Sequence, residues 1–209
     1  MSAGIVVALG LVAEMVGWWR VAAGRADVWR LMPVVLGAMG IAAAIVAPWD
    51  PPEVEDSVAL GIGALSGLLL FVGTRGFVWM AARWEPFRRQ TLEKYEEAAE
   101  VSLARSLVLS LLVMVPAEEV FWRGLAQATL ADSSLGAAGG AVAGWSLYVV
   151  ANLPSRSLPI VSGAVVGGAL WAGLWWWTGG VLAPLASHIL WTGSMLVLPP
   201  GAGRGKERA

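Results

Sequence analysis

The sequence has no cysteine and a single histidine, His188, among its 209 residues. The first absence excludes disulfides, thiol nucleophiles and thiolate metal sites. The second excludes a multi-histidine metal centre built within one chain. Charge is scarce as well: 14% of residues are Asp, Glu, Lys or Arg, against about 25% in ordinary soluble domains. With 57% hydrophobic residues and a mean hydropathy of +0.69, there is too little polar surface for a water-soluble globule. Basic and acidic residues nearly balance, 14 against 15, so no polycationic surface and no nucleic-acid partner is implied. What the chain does have is 13 tryptophans, whose rings sit well at a lipid–water boundary. These proportions describe an integral membrane protein, with membrane lipids as its principal surroundings.

Seven apolar stretches, roughly 3–19, 31–49, 58–82, 106–127, 136–153, 158–177 and 180–198, are long enough to cross a hydrocarbon core of about 30 Å as helices. The expected fold is all-α: a polytopic bundle of about seven transmembrane helices. Gly, Ala and Val dominate the spans, which suits close backbone packing in lipid. Prolines punctuate their ends: Pro48, Pro51 and Pro52 after the second, Pro154 after the fifth, Pro199 and Pro200 after the seventh. With no internal repeat and no low-complexity linker, 1–209 reads as a single membrane domain. The only long polar segment, Arg83 to Arg105, mixes charges at helical spacing, as in Glu93, Lys94, Glu96, Glu97 and Glu100. It predicts an interfacial amphipathic helix over 83–104.

The basic residues fall in alternate loops: Arg20, Arg25 and Arg30; then Arg83, Arg88, Arg89, Lys94 and Arg105; then Arg156; then Arg204, Lys206 and Arg208. The loops between hold none, but carry Asp50, Glu53, Glu55, Asp56 and Asp132. By the positive-inside rule the N-terminus is outside and the C-terminus cytoplasmic, in a cell (inner) membrane. The first span has no basic residue before it and no clear small-residue cleavage site, so a cleaved signal peptide is not expected.

Charges inside a span cost at least ~2.5–3.5 kcal/mol each on insertion scales, and their default reading is functional. Five qualify: Glu14, Arg75, Glu118, Glu119 and Arg123. On a helix Glu119 and Arg123 are i,i+4 neighbours able to pair. Glu118 sits about 100° round from Glu119 and has no local partner. Pro116 frees the carbonyl of Leu112 and invites a kink with room for water. An unpaired carboxylate beside such a kink suits a general base. A structural ion network between helices is the alternative.

His188 lies about eight residues into the seventh span from the outside, or roughly 12 Å at the usual rise. Glu118 lies at a similar depth on the fourth, so the two are expected to share one cavity in the outer half of the membrane. A hydrogen-bonded packing histidine is the alternative. Glu14 and Arg75 both fall in the inner third and are expected to pair with each other in a structural salt bridge. The Trp175-Trp176-Trp177 run reads as an interfacial belt.

The string Glu118-Glu119-x-x-x-Arg123 on a membrane helix, followed by a late helix carrying His188, resembles the CPBP intramembrane proteases. These include CAAX prenyl endopeptidases and bacteriocin-processing and Abi-type membrane proteins. The resemblance covers about 104–198, which would be the catalytic core. It extends to Gly163-Ala164-Val165-Val166-Gly167-Gly168 and to Thr178-Gly179-Gly180-Val181-Leu182-Ala183-Pro184. It implies that Glu118 activates the attacking water, that Glu119 and Arg123 hold charge and geometry, and that His188 and Thr192 line an oxyanion pocket. Where the family has an aromatic residue, three others and a histidine, this chain has Tyr148-Val149-Val150-Ala151-Asn152. Asn152 can donate a hydrogen bond and orient water, but cannot take a proton at neutral pH. Its place near the inner end of span five requires that helix to be short or broken at Pro154.

A catalytic zinc wants three protein ligands and a water. Glu118, Glu119 and His188 could supply them only by using up the base, so a metal-free glutamate mechanism without cofactors is expected. The activity implied is an intramembrane endopeptidase acting on a membrane-anchored protein or peptide tail, approached from the membrane or its outer side. A non-catalytic binding or immunity-type protein of the same fold, and a small transporter using the charged cluster as a proton path, are the competing readings.

Overall fold

The computed structural model describes residues 2–49, 52–99 and 101–200. Asp50, Pro51, Glu100, Arg204, Lys206 and Arg208, used above, lie outside the described residues. The fold is 85% helical, with no strand among the described residues. The chain runs through α1 (Ala3–Ala22), α2 (Val28–Val46), α3 (Asp56–Ala81) and α4 (Glu85–Ala99). It continues as α5 (Leu103–Ala131), α6 (Gly136–Asn152), α7 (Leu158–Thr178) and α8 (Leu182–Val197).

The apolar stretches read from the sequence are all helices, and the ends are set by local chemistry. The Asp27 side chain accepts from the Arg30 N–H at 2.9 Å, which starts α2 earlier than hydropathy alone indicates. Ser102 does the same for α5 through Arg105 N–H at 3.3 Å. After Asn152 the chain tightens into a short 3-10 turn, Leu153–Ser155, at Pro154.

By length and apolarity, α1, α2, α3 and α7 each qualify as crossings, and α4 with α5 as one bent pair at 101°. The other two are shorter: α6 has 17 residues and α8 has 16, about 26 and 24 Å at the usual rise against a core of about 30 Å. Four or five of the seven expected crossings therefore meet the requirement.

The pattern on α1 shows why this is a membrane fold. Ile5, Leu9, Val12 and Val16 face outward, exposed, while Val6, Gly10, Glu14 and Gly17 face inward, buried. The outside of this helix is apolar over most of its length and its acid, Glu14, points in, with Arg20 exposed in the last turn, which is stable in lipid and unfavourable in water. α5 occupies the centre, packed against α2, α6 and α8, and α8 lies along α3. Phe121, Trp122 and Leu125 of α5 fill the core with Met32, Leu36 and Trp171.

Within the polar segment 83–104 the helix α4 covers Glu85–Ala99, and α5 already begins at Leu103. α4 buries Phe87 and Thr91 and carries surface ion pairs, Arg88 with Glu85 at 2.5 Å and Lys94 with Glu97 at 2.6 Å.

Candidate active site

Two close backbone approaches fix the helices that bear the candidate residues. A Cβ on Gly40 of α2 would stand 2.7 Å from Ala117 Cα, next to Glu118. One on Gly67 of α3 would stand 2.5 Å from the Ser187 carbonyl, next to His188. Only glycine allows either contact.

Pro116 lacks the N–H that would bond the carbonyl four residues back. α5 answers with π-helical turns on both sides, Ser110–Met114 and Val120–Gln127, around one α-helical turn, Val115–Glu119. Such insertions recur at functional sites because they re-aim side chains without ending the helix. Here Phe121 through Gln127 are all buried, and so are Glu118 and Glu119.

Glu119 is the hub. Its Oε1 lies 2.7 Å from His188 Nδ1, and its Oε2 lies 3.4 Å from Arg123 Nε. The carboxylate is the acceptor of the Nδ1–H, which leaves Nε2 as the free ring atom. Arg123 Nη2 donates to the Gly168 carbonyl at 3.2 Å. Its guanidinium lies over the rings of Tyr148 and Trp171, at 4.7 and 5.6 Å from their centroids. One turn on, Gln127 Nε2 donates to the Ala172 carbonyl at 2.9 Å. The expected i,i+4 pair of Glu119 and Arg123 is therefore present, with no exposure to speak of on either side chain.

Glu118 differs from its neighbour. It makes no hydrogen bond among the described residues and meets His188 Nε2 with Oε2 at 4.0 Å. Trp171 stacks face to face on the His188 ring, with centroids 3.5 Å apart and planes 17° apart. Its Nε1 donates to Ser187 Oγ at 3.3 Å. Thr192 follows His188 by one helical turn and is half-buried.

Glu118, Asn152, His188 and Thr192 all line one cavity of about 640 Å³. Its other walls come from the C-terminal half of α3, including Leu69, Gly73 and Phe77, and from Phe87, Thr91, Lys94 and Tyr95 of α4. The cavity thus runs from the charged cluster to the α4 end of the bundle. Burial at that end raises the Tyr95 phenol above its ordinary range, so it stays neutral. A smaller cavity of about 190 Å³ lies at the opposite end, between Trp49, Gly124, Trp175 and Leu182.

The expected Glu14–Arg75 salt bridge does not form. Arg75 is exposed, with Nη1 donating to the Leu198 carbonyl at 2.7 Å. Glu14 is fully buried and accepts from Trp122 Nε1 at 3.0 Å and Asn152 Nδ2 at 3.3 Å. α1 extends to Ala22 rather than 19, so Glu14 sits nearer mid-helix than its expected depth and enters the site. Asn152 also enters it, because α6 is short and breaks at Pro154. The belt residues Trp176 and Trp177 are exposed, Trp175 half-buried.

Trp171, Tyr148, Trp122 and Gln127 were not singled out as site residues by sequence. Gln127 carries a signal in hindsight, lying four residues after Arg123 on the same face. Among the described residues no group of three or more His, Cys, Asp or Glu side chains is arranged to hold a metal ion.

No match is found among curated proteins or among solved structures. Residues 100–194 match the family model for type II CAAX prenyl endopeptidases, Rce1-like. That stretch, just under half of the chain, contains Glu118, Glu119, Arg123, Asn152, His188 and Thr192 but not Glu14. Over it the chain is similar to these Rce1-like type II CAAX prenyl endopeptidases.

Proposed function

We propose that the protein is an intramembrane endopeptidase in which Glu118 activates water, without metal, to cut a peptide bond in a membrane-anchored tail. The observation that carries this reading is the Glu118 carboxylate: unpaired, on a cavity wall, and 4.0 Å from His188 Nε2. A water within reach of both groups gives a proton to Glu118 as its oxygen attacks the scissile carbonyl carbon. Glu119 holds the His188 ring through Nδ1, so that Nε2 and the Thr192 hydroxyl are the groups set to face the oxyanion. Glu118 then delivers the proton to the amide nitrogen, the C–N bond breaks, and an amine and a carboxylic acid leave.

The cavity walls are mainly apolar, which suits a tail carrying a lipid or a long apolar side chain. With the N-terminus outside and the C-terminus cytoplasmic, such a tail enters from the cytoplasmic side of the cell membrane, past α4.

The test is cleavage of membrane-anchored tails, lipidated and unlipidated, by the purified full chain in liposomes. Glu118→Gln is expected to lower the rate by about 10²–10⁴-fold with insertion and thermal stability kept, and chelators to leave the parent rate unchanged. Tail binding without cleavage by either version would overturn the protease reading in favour of a binding protein. Glu118-dependent proton-coupled uptake would favour a transporter.

A further inference from the structure

A carboxylate from outside the family segment reaches into the site. Glu14 lies on the inward face of α1, between Gly10 and Gly17, and is fully buried. Its two oxygens do two jobs. Oε2 accepts from Trp122 Nε1 at 3.0 Å, and Oε1 accepts from Asn152 Nδ2 at 3.3 Å. Both partners are donors at these atoms, so the position calls for two acceptors side by side. Only a carboxylate supplies them; a glutamine of the same length would turn an N–H towards one donor or the other.

Asn152 is constrained from a second direction. Its Nδ2 also donates to the Tyr148 carbonyl at 2.9 Å. That carbonyl can only accept, which fixes which way round the amide lies. Both amide hydrogens are then in use, and the group left over on this cavity-lining residue is Oδ1, an acceptor. An acceptor repels an oxyanion. It can instead take a hydrogen bond from the attacking water.

We infer that Glu14 is a positioning residue, which holds Asn152 so that Oδ1 receives the hydrogen of the attacking water that Glu118 does not remove. This rests on the hydrolytic reading of the same cavity, and it has Asn152 orient the water by accepting a hydrogen bond rather than by donating one. In the balance of the step, one water hydrogen passes to Glu118. The other stays on the new hydroxyl of the tetrahedral intermediate, bonded to Oδ1, and a lone pair is left facing the carbonyl carbon. A histidine is not needed for this task, since the group asked for is an acceptor held still.

The chain makes the test unusually clean, because Asn152 is its only asparagine. Asparagine-selective 15N labelling of the full chain in detergent micelles or nanodiscs therefore gives one side-chain amide pair. Glu14→Gln is expected to shift one of its two proton resonances upfield and speed its exchange with water. In the cleavage assay it is expected to lower kcat about tenfold with KM unchanged, as for loss of one hydrogen bond to a charged group. In an Asn152→Ala background the same change should lower kcat no further, since Glu14 acts only through Asn152. Should Glu14→Gln fail to fold, Glu14→Asp keeps both acceptors but withdraws them, and reads the same resonances.

Unchanged Asn152 resonances, or shifted resonances with parental kcat, overturn the inference while leaving the protease reading intact. A parent chain that cuts no tail overturns the protease reading, and with it the catalytic part of this one. The resonances then still show separately whether Glu14 holds the amide.

Discussion

The imidazole of His188 is held by Glu119 and not by Glu118: Nδ1 stands 2.7 Å from Glu119 Oε1, whereas Nε2 stands 4.0 Å from Glu118 Oε2. Two adjacent glutamates thus have separable roles. Glu119→Gln strips the buried Arg123 of its counter-charge and is expected to cost about 3–5 kcal/mol of stability, read as a fall in thermal midpoint in detergent. Glu118→Gln should leave that midpoint in place, because it breaks no hydrogen bond. Equal midpoints for the two variants would contradict the assignment of Glu119 as the structural partner.

Trp171 covers one face of the His188 ring at 3.5 Å. A stacked aromatic pair contributes about 0.5–1.5 kcal/mol beyond buried area. Trp171→Leu is therefore expected to lower kcat about two- to tenfold, with Trp171→Phe in between. His188 is the only histidine, so 15N-histidine labelling reports the ring directly. A Trp171→Leu chain with parental kcat and unmoved imidazole resonances would remove Trp171 from the site.

Gly73 lines the large cavity, and a Cβ there would meet nothing within 4 Å. Gly73→Leu is expected to fold normally and to raise KM for tails with long apolar groups while sparing short ones. The check is a KM series over tails of graded length. A uniform effect would mean that the tail does not occupy this space.

Gly67 is the opposite case, since a Cβ there collides with the Ser187 backbone at 2.5 Å. Gly67→Ala is expected to cost about 1–3 kcal/mol through overpacking and to push α8, with His188, away from Glu119. Thermal unfolding and the histidine resonances would both move; movement of neither would show that α3 yields instead.

The acids of α5 and the histidine of α8 were legible because a charge in an apolar run is conspicuous and its depth can be counted from the span end. Helix positions were legible for the same reason, with Asp27 and Ser102 marking starts that hydropathy blurs. Glu14 shows the limit of counting. An error of three residues at the end of α1 moved it from the inner third to the middle. Depth also says nothing about azimuth, which decided that it meets Asn152 rather than Arg75. The extent of the cavity was hidden too, because its lining is assembled from all eight helices and not from any one segment. Trp171 was one tryptophan among 13, and only packing distinguishes it from those facing lipid.

Arg123 and Gln127 each reach a carbonyl of α7, those of Gly168 and Ala172. The two bonds step forward together by four residues on both helices, like teeth on matching racks. Sliding α7 along α5 by one residue would disengage both at once, and with them the ring that rests on His188. The register of the site is thereby set by side chains rather than by the connection through α6. Extra residues inserted at the exposed turn Ser133–Leu135 should lengthen the link without changing how the teeth mesh.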